Sequence, residues 1–589
     1  MLAYSQELAP VNPKFIKRLE NLQSKRAIGK TGGSRPLGYS PAPVNLSHIA
    51  RSAKGLKAAS KTFAASYDLR SYGKVTAVKD QGNYGSCWAF ATFGSLESCL
   101  LNDETDNFSE NNLANLHGFD YDGFDDGGNA YMSTAYLTRW GGPVNESDDP
   151  YPNRGGSPSG LTVRKHVQNV EFIPERASAT DNDDIKQTIV DHGALYTSFY
   201  WDDAYYQAGT ASYYYNGAED ANHAVAVVGW DDNYSKANFA SQPSGNGAFI
   251  IKNSWGTDWG KSGYGYISYY DSGIGLDNVI FLDAESTNNY GAIYQYDPLG
   301  LIGYCGYDAT SAWGANIFTA GSPASLSAVG FYSITENTSY QIFVYTGVTA
   351  GQPRSGTLAA SQSGALSAAG YHTIPLNTAV DLSANQRFSI VVKFTTPGCA
   401  YPLPVEYAYP GYSSAAAASA GQSFVSSDGA SDWEDAVTFD STMNICIKAY
   451  AAATTTAPNT SAEIEPNITI NSQNSSQITL RQGSQLSVAI SMSTSSSLEA
   501  DWWVLADTPY GWFVWYFYSP SDCVWRFAAS EASYQGPLFN LSPFEVLNMN
   551  TAELAVGTYV FYFGVDLLQN GRIDYDVLYY DYAALNLKK

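Results

Sequence analysis

Cys87 opens a helix-like apolar stretch within VKDQGNYGSCWAFATFGSLES, with Gln81 six residues before it. The imidazole candidate, His223 in NHAVAVVGW at the mouth of a strand-like apolar run, comes 136 residues later, and Asn253 in IIKNSWGTDWG comes 166 residues later. Any fold that uses these groups together must bring three distant segments to one place.

The residue types define a chemistry. A cysteine at a helix N-terminus faces unpaired backbone N–H groups and the positive end of the helix dipole, which favour a thiolate. A thiolate nucleophile needs an imidazole to hold the ion pair and protonate a leaving amine, and a donor for the oxyanion. His223 is the imidazole candidate. The polar residues 231–246 (DDNYSKANFASQPSGN) between the two strand-like runs read as an inserted hairpin loop.

These segments, QGNYGSCWAF, NHAVAVVGW and KNSWGTDWGKSGYGYISYYD, resemble the papain-like cysteine peptidases over about residues 67–283. The resemblance implies Cys87 as nucleophile, His223 as general acid/base, Asn253 as orienter of the imidazole and Gln81 as oxyanion donor. It implies Trp255 as a cover over the Asn253–His223 hydrogen bond, at the edge of the substrate site. Gly127-Gly128 in FDDGGNAYM would offer backbone to an extended substrate strand. Two positions depart from the family, which bridges a cysteine three residues before the nucleophile to one just before the glycine pair. Tyr84 and Asp125 stand there instead, so that staple is lost as a unit.

The expected architecture is an α+β papain-like two-lobed domain followed by two all-β sandwich domains. Residues 1–66 form a basic propeptide-like arm with a short helix near 15–22, and residues 67–283 the papain-like domain, with helices over 87–101 and 129–140 and strands at 224–230 and 248–252. From 284 to 452, short apolar segments recur at roughly ten-residue spacing, as at 328–332, 340–345 and 388–394, which suggests a sandwich. This Gly/Tyr/Ser-rich stretch resembles the lectin-like β domain attached to some prokaryotic papain-like proteins. Residues 453–467 are a linker by composition, and 468–589 a second strand-rich unit. There Trp502, Trp503 and the run Gly511-Trp-Phe-Val-Trp-Tyr-Phe-Tyr518 place aromatics on both strand faces, suited to core packing or to carbohydrate stacking.

Charge separates the arm from the rest. Residues 1–66 hold eleven Lys/Arg and two acids, a balance of +9, whereas 67–589 hold 21 basic and 54 acidic residues, a balance of −33. The arm is expected to be held on the acidic body as an intramolecular inhibitor, with a segment such as 41–47 along the cleft and processing near 64–67. High salt or a pH in the carboxylate range is expected to loosen it. The acidic body makes nucleic acid a poor partner, and no apolar run reaches the length of a membrane span.

Other motifs carry less. His48, His117, His166, His192 and His372 lack metal-ligand spacing, and Cys99 reads as a core residue. Cys305, Cys399 and Cys446 offer one disulfide without indicating the pairing. Asp566, Asn570, Gly571 and Asp574 resemble half of a calcium loop, but Leu568 and Val577 fill the third and twelfth slots, which favours a polar turn. Neither metal nor cofactor is expected. The partners expected are a polypeptide substrate, the chain's own arm and a glycan or cell-surface ligand, in a secreted or surface protein whose signal peptide is absent from this sequence. The competing reading is a non-catalytic adhesion protein that uses the papain-like unit as scaffold.

Overall fold

The computed structural model describes residues 6–28, 37–48, 63–101, 104–453, 464–473, 477–494, 498–519, 522–527, 532–567 and 578–589. The chain divides into two compact units, Met1–Ala453 and Thr454–Lys589.

At the centre of the first unit is the helix Cys87–Leu100, buried from Cys87 to Ser98. Its Ala, Phe and Leu residues surround the axis instead of forming one stripe, as a helix enclosed on all sides requires. It packs across the strand His223–Asp231, with Gly94 at the crossing, where an added Cβ would come within 3.3 Å of the Ala226 Cβ. That strand begins one residue earlier than the sequence suggests, and Ala248–Lys252 matches its expected bounds. The second expected helix is shorter, Ala130–Thr138, because the Asn129 side chain caps its start by accepting the Met132 N–H.

The sheet containing His223 runs without a break into the following region. From Leu195–Phe199 it passes through Asn278–Ser286 and Lys165–Ile173 to Ala369–Leu382, Ala324–Ser333 and Ile447–Ala453. Phe172 to Asn169 pair with Ala369 to His372 across the junction. The expected change of unit near 283–284 therefore falls inside the strand Asn278–Ser286, and one hydrophobic core holds Trp88, Phe281, Phe331 and Phe394 together. A second sheet, built around Thr338–Thr346, Arg387–Thr395 and Ser311–Thr319, completes the β-sandwich. Cys305, Cys399 and Cys446 are free thiols, so the disulfide they offered does not form. Cys305 Sγ instead accepts a hydrogen bond from Gln6 (2.7 Å) and Cys446 Sγ donates to the Gly300 carbonyl (3.4 Å).

The arm bridges both parts of this unit. Glu7–Leu8 adds an antiparallel strand to Gly303–Gly306. The helix Pro13–Ile28, longer than expected, buries Phe15 between Tyr409 and Tyr412. The chain returns as an extended segment, joined to the start of the helix by Asn12 N–H to Pro43 C=O (2.9 Å). The ion pair Lys17–Asp220 (2.7 Å) is largely exposed.

In the second unit, Ile464–Ile470, Gln485–Thr494 and Leu541–Asn550 form one sheet and a larger one runs from Gln477–Arg481 to Asp522–Phe527. Trp502 and Trp515 lie in its core with Phe561 and Phe563, whereas Trp512 is 48% exposed and stacks on Tyr562. Most of the half calcium loop (568–577) and of the linker (454–463) lies outside the described residues.

Removing a buried phenyl ring costs several kcal/mol, whereas an exposed ion pair contributes about 0–1 kcal/mol. After a cut at Lys61 in the folded chain, the arm of Phe15→Ala should dissociate at least about tenfold faster than wild type, and that of Lys17→Ala within about twofold. Surface plasmon resonance or gel filtration of the cut protein measures both; equal rates in the two variants would refute this ranking.

Candidate active site

Cys87 is the first residue of its helix and His223 the first of the strand His223–Asp231, against which that helix packs. The Ala224 N–H donates to Cys87 Sγ at 3.3 Å, so the sulfur lies against the residue that follows His223. His223 Nε2 is 2.8 Å from Asn253 Oδ1, and the same oxygen accepts the Ser254 N–H at 2.8 Å. An amide oxygen only accepts, so Nε2 carries the proton and the neutral ring leaves Nδ1 as its acceptor. Nδ1 is buried and has no hydrogen-bond partner. Trp255 stacks on the imidazole, with centroids 4.5 Å apart and planes 18° apart, and covers it from water.

Gln81 is fixed from both sides. Its N–H donates to Ser254 C=O (2.8 Å), its Oε1 accepts from Ser254 Oγ (2.7 Å) and its Nε2 donates to Tyr84 C=O (2.6 Å). The loop before it is anchored by Lys79, which bonds Glu110 (2.7 Å) and Glu97 (3.0 Å). Glu97 also accepts from Thr76, which accepts from Lys252, the neighbour of Asn253. Burial pushes the Glu110 carboxyl up to about 7 and the Lys252 ammonium down to about 8, so this network joins the two lobes through charges held away from water.

The missing family staple has a replacement that sequence reasoning did not find. Tyr84, Phe124 and Tyr151 form an aromatic cluster, with Phe124 and Tyr151 stacked at 5.8 Å. Arg154 lies over Tyr84 and Phe124 and bonds Asp122 (2.9 Å) and Asp125 (2.7 Å). Gly85 N–H donates to Phe124 C=O. Tyr84 and Asp125, the two positions where the cysteines are lost, are thus both members of this cluster. Ser254, which orients Gln81, was also missed, although it adjoins Asn253 in the KNSW motif.

The arm lies over this centre. Tyr39 forms a parallel bridge to Gly128, with Ser40 N–H to Gly128 C=O and Gly128 N–H to Gly38 C=O both at 2.9 Å. The pairing segment is therefore 38–40, just before the expected 41–47. Closeness decides this: a Cβ on Gly38 would lie 2.1 Å from the Gly85 carbonyl oxygen, and one on Gly127, at φ +88°, 2.3 Å from that of Gly38. Tyr39 is buried, and its hydroxyl hydrogen-bonds Asp277. A cavity of about 310 Å³ remains between Asn12, Val44 and Leu46 of the arm and Tyr131, Glu175 and Asp277.

Burial reverses one expectation. It pushes the Cys87 thiol up to about 12 against the backbone N–H groups of Ala224, Trp88 and Cys87, and holds the His223 imidazole down to about 4 against its bond to Asn253. The helix terminus alone does not stabilise a thiolate here, since desolvation outweighs it. Burial therefore favours the neutral form of each group.

An α+β fold that brings together cysteine, histidine, asparagine and glutamine in this way is a papain-like fold. Residues 63–281 match the papain family cysteine protease family and residues 293–451 match the lectin-like domain, and the chain carries both. Among curated proteins it is similar to a viral cathepsin of Choristoneura fumiferana defective polyhedrosis virus, 34% identical over 224 residues, which are 37% of this chain and 64% of that one. It is also similar to cysteine proteinase 15A of Pisum sativum, 32% identical over 38% of this chain and 63% of that one. The chain thus spans just under two thirds of the length of these relatives. Among solved structures it is similar to the cysteine protease and lectin-like domains of Cwp84, a surface layer associated protein of Clostridium difficile, with TM-score 0.63, 25% identity, and coverage of 77% of this chain and 99% of that one. The same protein after propeptide cleavage aligns with TM-score 0.58 and 26% identity over 66% of this chain and 100% of that one.

With the neutral form of each group favoured by burial, iodoacetamide at pH 6–7 should alkylate Cys87 at least about a hundredfold more slowly in the uncut chain than after arm removal, because the thiolate is the reactive form. Mass spectrometry of the Cys87 peptide over time measures the ratio; equal rates would mean that the arm does not control the ionisation.

Proposed function

We propose that this chain is the proform of a cysteine endopeptidase. Cys87 attacks a peptide carbonyl carbon, and its proton passes to His223 Nδ1. The negative oxygen receives hydrogen bonds from the Gln81 side chain and the Cys87 N–H. The C–N bond breaks as His223 returns the proton to the departing amine, leaving an acyl-enzyme at Cys87. Water, deprotonated by His223, hydrolyses the thioester and restores the thiol. Asn253 keeps the imidazole in the tautomer this requires, and Trp255 shields their bond. The observation that carries this reading is the placement of Cys87 Sγ against the N–H of Ala224, the residue after His223, with His223 Nε2 held by Asn253 and its buried Nδ1 left as acceptor.

Gly127-Gly128 receives the substrate backbone by strand addition in this reading, and residues 38–40 occupy that position as an intramolecular inhibitor. Maturation cuts the chain near 64–67. Long-range attraction between the basic arm and the acidic body brings the arm in, and backbone pairing with the burial of Phe15 and Tyr39 holds it. The lectin-like domain attaches the enzyme to a cell-surface or glycan ligand. A polar concavity of about 350 Å³ lined by Ser339, Tyr340, Gln341, Ser363, Lys393 and Thr395 is the place for a sugar. The surface layer association of the similar Cwp84 favours a secreted or surface location.

Turnover of an internally quenched peptide by the processed protein tests the chemistry. Cys87→Ala should abolish it, His223→Ala should lower kcat by about 10²–10⁴ and Gln81→Ala by about 10²–10³; equal turnover by Cys87→Ala would end this reading. About 0.5 M salt should speed maturation if attraction contributes to the hold, and an unchanged maturation rate would remove that part of the account.

A further inference from the structure

The papain-like cleft ends, on the Gly128 side, against the lectin-like domain. Asn129, the residue after Gly128, donates from Nδ2 to the hydroxyl of Tyr412 (3.3 Å) and to Ser40 C=O of the arm (3.1 Å). Tyr412 is seated against Phe119 and Tyr121 of the papain-like domain, with centroids at 4.9 and 5.4 Å, and its C=O accepts the Asp120 N–H (2.9 Å). The lectin-like loop that carries Tyr409 and Tyr412 is thus built into the wall of the cleft.

What fills this wall is a polypeptide. Phe15 enters edge-on between Tyr409 (5.1 Å, 79°) and Tyr412 (5.2 Å, 78°) and is fully buried. Beside it, Glu7–Leu8 pairs with Gly303–Gly306, a strand whose other edge is taken by Leu403–Glu406. The same strand also holds the part of the arm that follows the cleft segment 38–40, since the Tyr304 hydroxyl donates to Asn45 C=O. Gly128 and the Gly303–Gly306 edge each pair with extended segments of the arm, and the tyrosine pair takes Phe15 from the helix Pro13–Ile28. Departure of the arm uncovers two aromatic rings and a row of unpaired backbone groups, a surface that takes a strand with a large apolar side chain.

We propose that Tyr409, Tyr412 and the edge of Gly303–Gly306 form an accessory subsite for the polypeptide substrate, occupied by Phe15 and Glu7–Leu8 in the proform. The lectin-like domain then selects protein substrates that carry an aromatic or large aliphatic residue beyond the residues paired with Gly128. This inference rests on the peptidase reading and extends its cleft with residues outside the papain-like domain.

The experiment uses the full chain, cut at Lys61 after folding and freed of its arm by gel filtration. Two peptides share one cleaved core: a short one of about six residues, and a long one of about sixteen residues carrying Phe or Ala at each outer position in turn. The long Phe peptides should exceed their Ala counterparts in kcat/KM by about tenfold at one or two positions, and Tyr409→Ser should erase that preference while Tyr409→Phe keeps it. Fluorescence anisotropy of the labelled long peptides on Cys87→Ala should show the same preference without turnover. No Phe preference in the wild type, or one that survives Tyr409→Ser, overturns the accessory subsite. Failure of the wild type to cleave any peptide, with Tyr409-dependent binding retained on Cys87→Ala, overturns the peptidase reading instead and supports the subsite.

Discussion

The contact between the Cys87–Leu100 helix and the His223–Asp231 strand is the constraint on which the site depends. It sets a helix N-terminus against the start of a strand at the centre of a long sheet, and the glycine at position 94 allows the close approach. Cys87 and His223 are thereby carried on two packed, rigid elements instead of on loops. Asn253, Gln81 and Trp255 complete the arrangement from the following strand and from a loop anchored by Lys79.

The sheet also explains why the β-sandwich region is more than an appendage. Pairing of Lys165–Ile173 with Ala369–Leu382 carries the papain-like sheet into the lectin-like one, and a common core fills the junction. Forces on one region are transmitted to the other through close-packed side chains. The arm follows the same logic, since its strand pairs with one region, its extended segment with the other, and Phe15 sits where the two meet. Cys87 and His223 are buried, and burial pushes the thiol up and the imidazole down, so each neutral form is favoured.

The aromatic and ionic cluster of Tyr84, Phe124, Tyr151 and Arg154 illustrates how a covalent constraint is replaced. A disulfide acts chiefly on the unfolded chain, whereas this cluster acts only once the loops have met, through ring contacts and a doubly bonded guanidinium. Sequence reasoning registered the loss at Tyr84 and Asp125 without the substitute, because Tyr151 and Arg154 lie far along the chain. The free thiols of Cys305, Cys399 and Cys446 have the same origin: composition counts sulfur atoms, and folding decides which meet.

Local patterns in the sequence determined the helix at Cys87, the strands at His223 and Ala248, the glycine pair and the recurrent β segments, since each depends on neighbouring residues and on short-period burial. The candidate site residues Cys87, His223, Asn253 and Gln81 were legible as short motifs for the same reason, and the structure brings their segments together. Tertiary structure alone decided that the arm pairs through Gly38–Ser40 instead of residues 41–47, that the two β sheets share a core across 283–284, and that burial pushes the Cys87 thiol up and the His223 imidazole down. Those outcomes depend on non-local steric fit and on desolvation, quantities set by segments tens to hundreds of residues apart and therefore absent from any local reading.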